Sequence, residues 1–407
     1  MTSEPPTTAL ERHEPPRGFV LWLSIAQLIS WGTLFYTFSL LLGHFEGDLA
    51  LSRVDASLSF SLALLCEGLL AFAIGRLIDA GKARVVMCAG SLLAALTFLG
   101  MSFVQTQWQL YLAWIVAGIA MSATLYAPAF AILIRRYPEN YRRAIITLTF
   151  LGGLASTVFI PLTAILIAQL GWRGALLVLS ALHLFVCLPI HAYWLRNEPV
   201  AHAHVHTDAR SLRDFTREFP FWGLATFFVL FAGITSAMGT HMVPMLSERN
   251  LPTAWVIAIP ASIGVLQVIG RFVLYVTEKH IDVHAANRWI PATLPAAIFI
   301  LALGLASPAA ALLFALLYGL ANGMITIVKA TAMAQYVSRE RAASLNGLLG
   351  LPTAVVRALA PSALALMWTW SGDYRFGLSV LAFAGALAVG FFWLAQRTAL
   401  QANEAKL

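Results

Sequence analysis

The chain has 407 residues, 59% of them hydrophobic and only 11% charged, with a mean hydropathy of +0.78. That balance excludes an ordinary soluble globular protein, and no polar segment is long enough to house a separate catalytic domain, so an enzyme is not expected. A formal net charge of +7 raises the question of a nucleic-acid partner. In chain order, a polar, proline-rich segment (MTSEPPTTALERHEPPRG) comes first. The apolar run after it is too long for a signal-peptide core and should stay in the mature protein. Twelve apolar runs follow, at 19–42, 54–74, 85–104, 109–134, 144–169, 172–195, 221–246, 254–276, 289–306, 309–336, 344–370 and 374–396. Each is long enough to cross about 30 Å of hydrocarbon as a helix, whereas barrel strands would alternate polar and apolar over roughly ten residues.

The charge follows the loops. With both termini in the cytoplasm, 19 of the 26 Lys and Arg fall on that side, and Arg53, Arg173, Arg249 and Arg375 face outside. This is the positive-inside bias, so the basic balance reports topology and not nucleic-acid binding. The compact loops suit a bacterial inner membrane. The hydrophilic stretch 196–220 divides the chain into a cytoplasmic tail (1–18), a six-helix lobe (19–195), a linker (196–220), a second six-helix lobe (221–396) and a short tail (397–407). LGWRGALLVLSAL opens the sixth span and SGDYRFGLSVLAF the twelfth in the same way, as expected of parallel repeats with a substrate site between them. The linker's HAHVH reads as solvated histidine, not a metal site, and no cofactor is called for. Cys66, Cys88 and Cys187 lie inside spans and read as packing residues.

Three basic residues remain inside the spans, namely Arg271, Lys329 and Arg357, against one well-embedded acid, Glu67. A charge at the centre of a membrane helix costs roughly 2.5 to 3.5 kcal/mol on insertion scales, and Arg357 lies about 20 Å from either end of its run, too far to snorkel. It requires a partner, water or a ligand. Arg271 and Lys329 lie nearer the cytoplasmic ends, so snorkelling is an alternative for each. The cationic excess favours an anion, and arginine fits a carboxylate with two parallel N–H bonds. Pro361 cannot donate to the carbonyl of Arg357, which leaves a weakened turn beside the charge. Tyr36, Tyr126, His241 and Asn322 complete the candidate substrate site, and Glu67 is the candidate proton carrier.

The segment GRLIDAGKAR, between the second and third spans, resembles the cytoplasmic loop motif of the major facilitator superfamily. That resemblance implies an all-α fold of twelve transmembrane helices in two six-helix repeats. Within the motif Gly75 should permit close helix approach, Asp79 meet a positive helix end or arginine, Gly81 supply a turn, and Arg84 hold the cytoplasmic side, together forming a gating latch. YTFSLLLGHFEGDLALSRVDASLSFSLALL and WQLYLAWIVAGIAMSATLYAPAF are similar to the monocarboxylate porter and oxalate:formate antiporter group. In that group's antiporter branch a basic residue in helix eight and another in helix eleven bind carboxylates. By position these are Arg271 and Arg357, although the helix-eleven residue there is a lysine. Helices two and eleven are neighbours in this superfamily, so Arg357 could instead pair permanently with Glu67.

The expectation is a monomeric secondary transporter of a small monocarboxylate or dicarboxylate, working by alternating access with proton coupling or exchange. The alternatives are an efflux transporter for a toxic neutral or anionic compound, including metalloids, and a membrane receptor that binds a metabolite without moving it.

Overall fold

The computed structural model describes residues 18–137, 141–196, 212–248, 251–277, 282–303, 307–338 and 342–404, and among them every regular element is helical. The N-terminal segment and most of the linker, with its HAHVH, lie outside the described residues. Among the described residues, eleven segments are long and apolar enough to cross a membrane. Ten correspond to one predicted run each, and the remaining one, Ala144–Trp194, takes up two.

At 51 residues that segment would be roughly 75 Å long as one straight helix, more than twice the hydrocarbon thickness. Gly171 interrupts it with φ 69° and ψ 166°, a conformation open essentially only to glycine. Contacts with the first helix show the reversal. A Cβ at Gly32 would meet Phe159, Thr37 bonds Thr163, and Asp48 accepts from Trp172, after which His183 returns to Thr33. The chain therefore climbs from 159 to 172 beside the first helix and descends again by 183.

The bundle thus comprises α1 (Phe19–Asp48), α2 (Arg53–Asp79), α3 (Ala83–Met101), α4 (Gln107–Arg136), α5 (141–170), α6 (172–194), α7 (Phe219–Ser247), α8 (Thr253–Thr277), α9 (Val283–Leu303), α10 (Pro308–Tyr336), α11 (Gly350–Ser371) and α12 (Arg375–Glu404). Helix α12 runs eight residues past the predicted end at 396, so most of the expected polar tail is helical. Local sequence sets several starts. Ser52 caps α2 by accepting the Asp55 N–H at 3.1 Å, a Thr106–Gln109 capping box opens α4, and Ser307 followed by Pro308 opens α10.

Buried apolar clusters respect the two halves of the chain. The largest is drawn from 215–399, and two others come from 19–195 with the single addition of Ala358. Between the halves, α2 packs on α11, α5 on α8, and α1 on α7.

Candidate functional site

Helix α8 carries Arg271 to the seam between the halves. It crosses α10 closely, because a Cβ at Gly270 would stand 2.5 Å from the Leu320 carbonyl oxygen and one at Gly323 only 2.1 Å from that of Gln267. Arg271 is 8% exposed and does not snorkel. Its Nη1 donates to the Thr149 carbonyl of α5 at 2.7 Å, and its Nε to the Gly323 carbonyl at 3.4 Å. Both acceptors are neutral, so the charge is held across the seam with no carboxylate partner among the described residues.

Two tyrosines from the first half share the field of this guanidinium. Helix α4 breaks at Leu125, and Gln27 donates to the freed Thr124 carbonyl at 2.6 Å. The break projects Tyr126 toward Gly152, where a Cβ would stand 2.4 Å from the phenol oxygen. Tyr36 lies near Gln267 of α8 and in the electrostatic range of Arg271, as does Tyr126. Trp31 joins Tyr126 (centroids 4.8 Å) to Phe35 (5.5 Å).

Phe35 in turn lies 5.9 Å from the Arg357 guanidinium. Arg357 pairs with Glu67 of α2 through Nη2–Oε2 at 2.6 Å and Nη1–Oε1 at 3.4 Å. Lys329 lies within electrostatic range of Arg357, with its ammonium 5.7 Å from the Phe228 ring centroid. Among the described residues this part of the seam thus holds three cations and one acid, with a train of aromatic rings from α1 and α4 between the two arginines.

Pro361 does not leave an open turn in α11. Ser236 of α7 donates to the freed Arg357 carbonyl at 2.8 Å, and α11 stays continuous from Gly350 to Ser371. Sequence reasoning missed Ser236, since a serine in an apolar run carries no sign of which carbonyl it faces.

His241 lies away from this group. Its Nε2 donates to the Pro361 carbonyl at 2.9 Å, which leaves Nδ1 to accept from Tyr374 Oη, also at 2.9 Å. Both ring nitrogens are satisfied, and the ring belongs to a polar knot at the end of the bundle opposite Arg84. There Arg53 of α2 pairs with Glu46 at 2.8 Å, pairs with Glu248 at the end of α7, and stacks 3.8 Å from the Trp368 ring centroid. Trp368 Nε1 donates to Glu248 at 3.0 Å. Arg53, one residue after the cap Ser52, is thus the hub of a contact between halves. Asn322 is half-buried beside Gly323, and its side chain makes no hydrogen bond among the described residues.

At the basic end, Gly81 has φ +75°, and the Gly81 and Lys82 N–H groups bond the Ile78 and Leu77 carbonyls, a closing turn for α2. Arg135 of α4 donates to the Ile78 carbonyl, a cation at the negative end of the helix dipole. The expected close approach at Gly75 is not found. A Cβ there meets nothing within 4 Å, because this stretch of α2 faces outward. Arg84 is exposed, and the side chain of Asp79 lies outside the described residues.

Among the described residues, twelve apolar helices in two halves that meet at a charged seam form the architecture of a polytopic membrane protein. Residues 23–361 match the sequence profile of the Major Facilitator Superfamily, and the chain belongs to that family. It is 31% identical over 250 residues to Monocarboxylate transporter 11 of Homo sapiens, a match covering 58% of this chain and 52% of that protein, so the chain aligns with about half of this relative's length. Monocarboxylate transporter 13 of Rattus norvegicus is 38% identical over 108 residues, 26% of this chain and 25% of that one. An uncharacterized 38 kDa protein of Thermoproteus tenax is 27% identical over 398 residues, 94% of this chain and 96% of its own. Among solved structures, a bacterial homolog of the human lysosomal transporter Spinster, inward-facing and occupied, superposes with a TM-score of 0.72 at 16% identity over 95% of this chain and 98% of that one. The nucleoside transporter NupG gives 0.70 at 14% identity, over 93% and 98%. These likenesses are of fold.

Proposed function

We propose that this protein moves a small organic anion, a monocarboxylate or dicarboxylate, across the bacterial inner membrane by rocking a first lobe (19–195) against a second (221–396) about the linker 196–220, as a monomer with both termini cytoplasmic. The observation that carries this reading is Arg271, a buried guanidinium bridging the halves through two carbonyls with no carboxylate of its own. A buried cation without a counter-ion is costly, and an anionic ligand offsets that cost while a cationic one adds to it. Tyr36, Tyr126 and Gln267 supply neutral hydrogen-bonding groups beside it. Arg357 and Lys329 supply a second positive region, and Glu67 competes with the substrate for it. A carboxylate that takes Glu67's place at Arg357 leaves Glu67 free to bind a proton, so loading of anion and proton are linked. The names of the monocarboxylate transporter relatives point the same way.

The test is uptake into proteoliposomes. Radiolabelled L-lactate and oxalate, offered with and without an inward proton gradient, should enter saturably, and Arg271→Ala should abolish entry while the protein still reaches the membrane. Saturable uptake of a quaternary ammonium compound, with neither anion taken up, would overturn the reading.

A further inference from the structure

Two turns of π-helix face each other inside the first half, Gly32–Tyr36 in α1 and His183–Cys187 in α6. A π-turn inserts one residue into the helical repeat, so everything after it is rotated by about 100° relative to an unbroken α-helix. The residue that ends the α1 turn is Tyr36, which lies near Gln267 and within electrostatic range of Arg271 across the seam. The turn is held from three sides. Phe159 packs where a Cβ at Gly32 would stand, 2.2 Å away, Thr163 bonds Thr37 at 3.3 Å, and His183 Nε2 lies 2.7 Å from Thr33 Oγ1. Thr37 also returns its N–H (3.1 Å) and its hydroxyl (3.1 Å) to the Gly32 carbonyl, closing the wide turn.

The direction of the His183 bond follows from the network. The single hydrogen of the Thr33 hydroxyl is committed to the Ile29 carbonyl at 2.8 Å, so the imidazole is the donor and Nε2 carries the proton. Nδ1 makes no hydrogen bond among the described residues, which leaves Thr33 as the polar tether of a ring that is 0% exposed.

We propose that His183 is a positioning residue for transport: its Nε2–H, bound to Thr33, locks the α1 π-turn and so aims Tyr36 at the substrate. The inference rests on the reading of Arg271 and Tyr36 as substrate groups, but its first test does not. In a background with Cys66, Cys88 and Cys187 replaced by alanine, Tyr36→Cys with Gln267→Cys should be joined by a short bifunctional thiol reagent, and Phe35→Cys with Gln267→Cys should not. Adding His183→Ala or Thr33→Val should suppress the first cross-link and allow the second. His183→Gln, whose amide N–H stands where Nε2–H stood, and Thr33→Ser should restore the original pattern. For transport, Thr33→Val should raise the KM for L-lactate about tenfold with kcat changed less than about twofold, as expected when ground-state binding is lost. If His183→Ala fails to fold, Thr33→Val decides, since it removes one hydroxyl and keeps the shape. Unchanged cross-linking in Thr33→Val would overturn the proposal. Absence of lactate uptake by the unmodified protein would sink the anion reading and leave the cross-link to judge this one.

Discussion

Arg357 is bound at both its ends: the guanidinium holds Glu67 at 2.6 Å, and the carbonyl that Pro361 cannot serve is held by Ser236 at 2.8 Å. The two bonds answer to different substitutions. Arg357→Ala should weaken substrate binding by about 10- to 150-fold, the equivalent of roughly 1.5 to 3 kcal/mol for a charged hydrogen bond, and should strand Glu67. Adding Glu67→Gln should restore the melting temperature and not the transport. Recovery of transport in the double variant would make the pair a strut. Ser236→Ala leaves the carbonyl of a buried turn without a donor, so the melting temperature in detergent should fall by an amount equivalent to about 1 to 3 kcal/mol. At this scale the sequence was informative about charge and about one charged pair, and silent about backbone partners. Residues of one sign in apolar runs are visible in a string of letters, and that Glu67 and Arg357 could meet was readable once the helix order was known. That Arg271 ends on two backbone carbonyls was not readable, because a carbonyl belongs to every residue and carries no letter.

Helices α8 and α10 cross through Gly270 and Gly323, and this crossing fixes Gln267 and Arg271 against the seam. Gly323→Ala places a methyl 2.1 Å from the Gln267 carbonyl oxygen and must push the helices apart. Melting temperature and substrate affinity should fall together in that variant, and Gly347→Ala, whose added methyl meets nothing within 4 Å, should leave both unchanged. A thermal-shift titration of the two variants checks this. The number and order of the spans were legible because each apolar run reports its own hydration. Several ends were not: α1 runs on past 42 to Asp48, and α9 begins at Val283, ahead of 289. The end of α12 was not, since polarity begins at Gln396 while the helix continues to Glu404 on backbone bonds that hydropathy does not register. The π-turn of α1 was hidden for a related reason. The groups that pack and bond against it, Phe159, Thr163 and His183, are more than a hundred residues away along the chain.

Across the whole molecule the halves meet along a column from Arg53–Glu248 at one end to Arg357–Glu67 near the centre, by way of His241, Ser57, Ser61 and Ser362. If rocking opens the end that carries Arg53, Glu248→Gln should favour that opening, because it removes the charge that joins α2 to α7. A membrane-impermeant maleimide should then label Ser57→Cys several-fold faster in the Glu248→Gln background than without it. Equal labelling rates would place the barrier elsewhere. The two-half architecture was legible from the polar linker and from the matching openings of the sixth and twelfth spans. The knot was not, since Arg53, Glu248 and Trp368 are joined only by the packing of α2, α7 and α11.

The material of the seam has a consequence for how fast it can move. Beside its aromatic rings and ion pairs it contains tracks of small groups: Gly68 against Ala354, Ser61 against Ser362, and Gly264 against Ser156 and Thr157. Such side chains have few or no rotamers to lose or regain, so sliding one face over the other changes little side-chain entropy. If the halves rock as proposed, these tracks should act as a plain bearing with low friction. Resistance should then be concentrated at the ion pairs, so the temperature dependence of turnover should follow Arg53–Glu248 and Arg357–Glu67 and be nearly indifferent to the glycine and serine tracks.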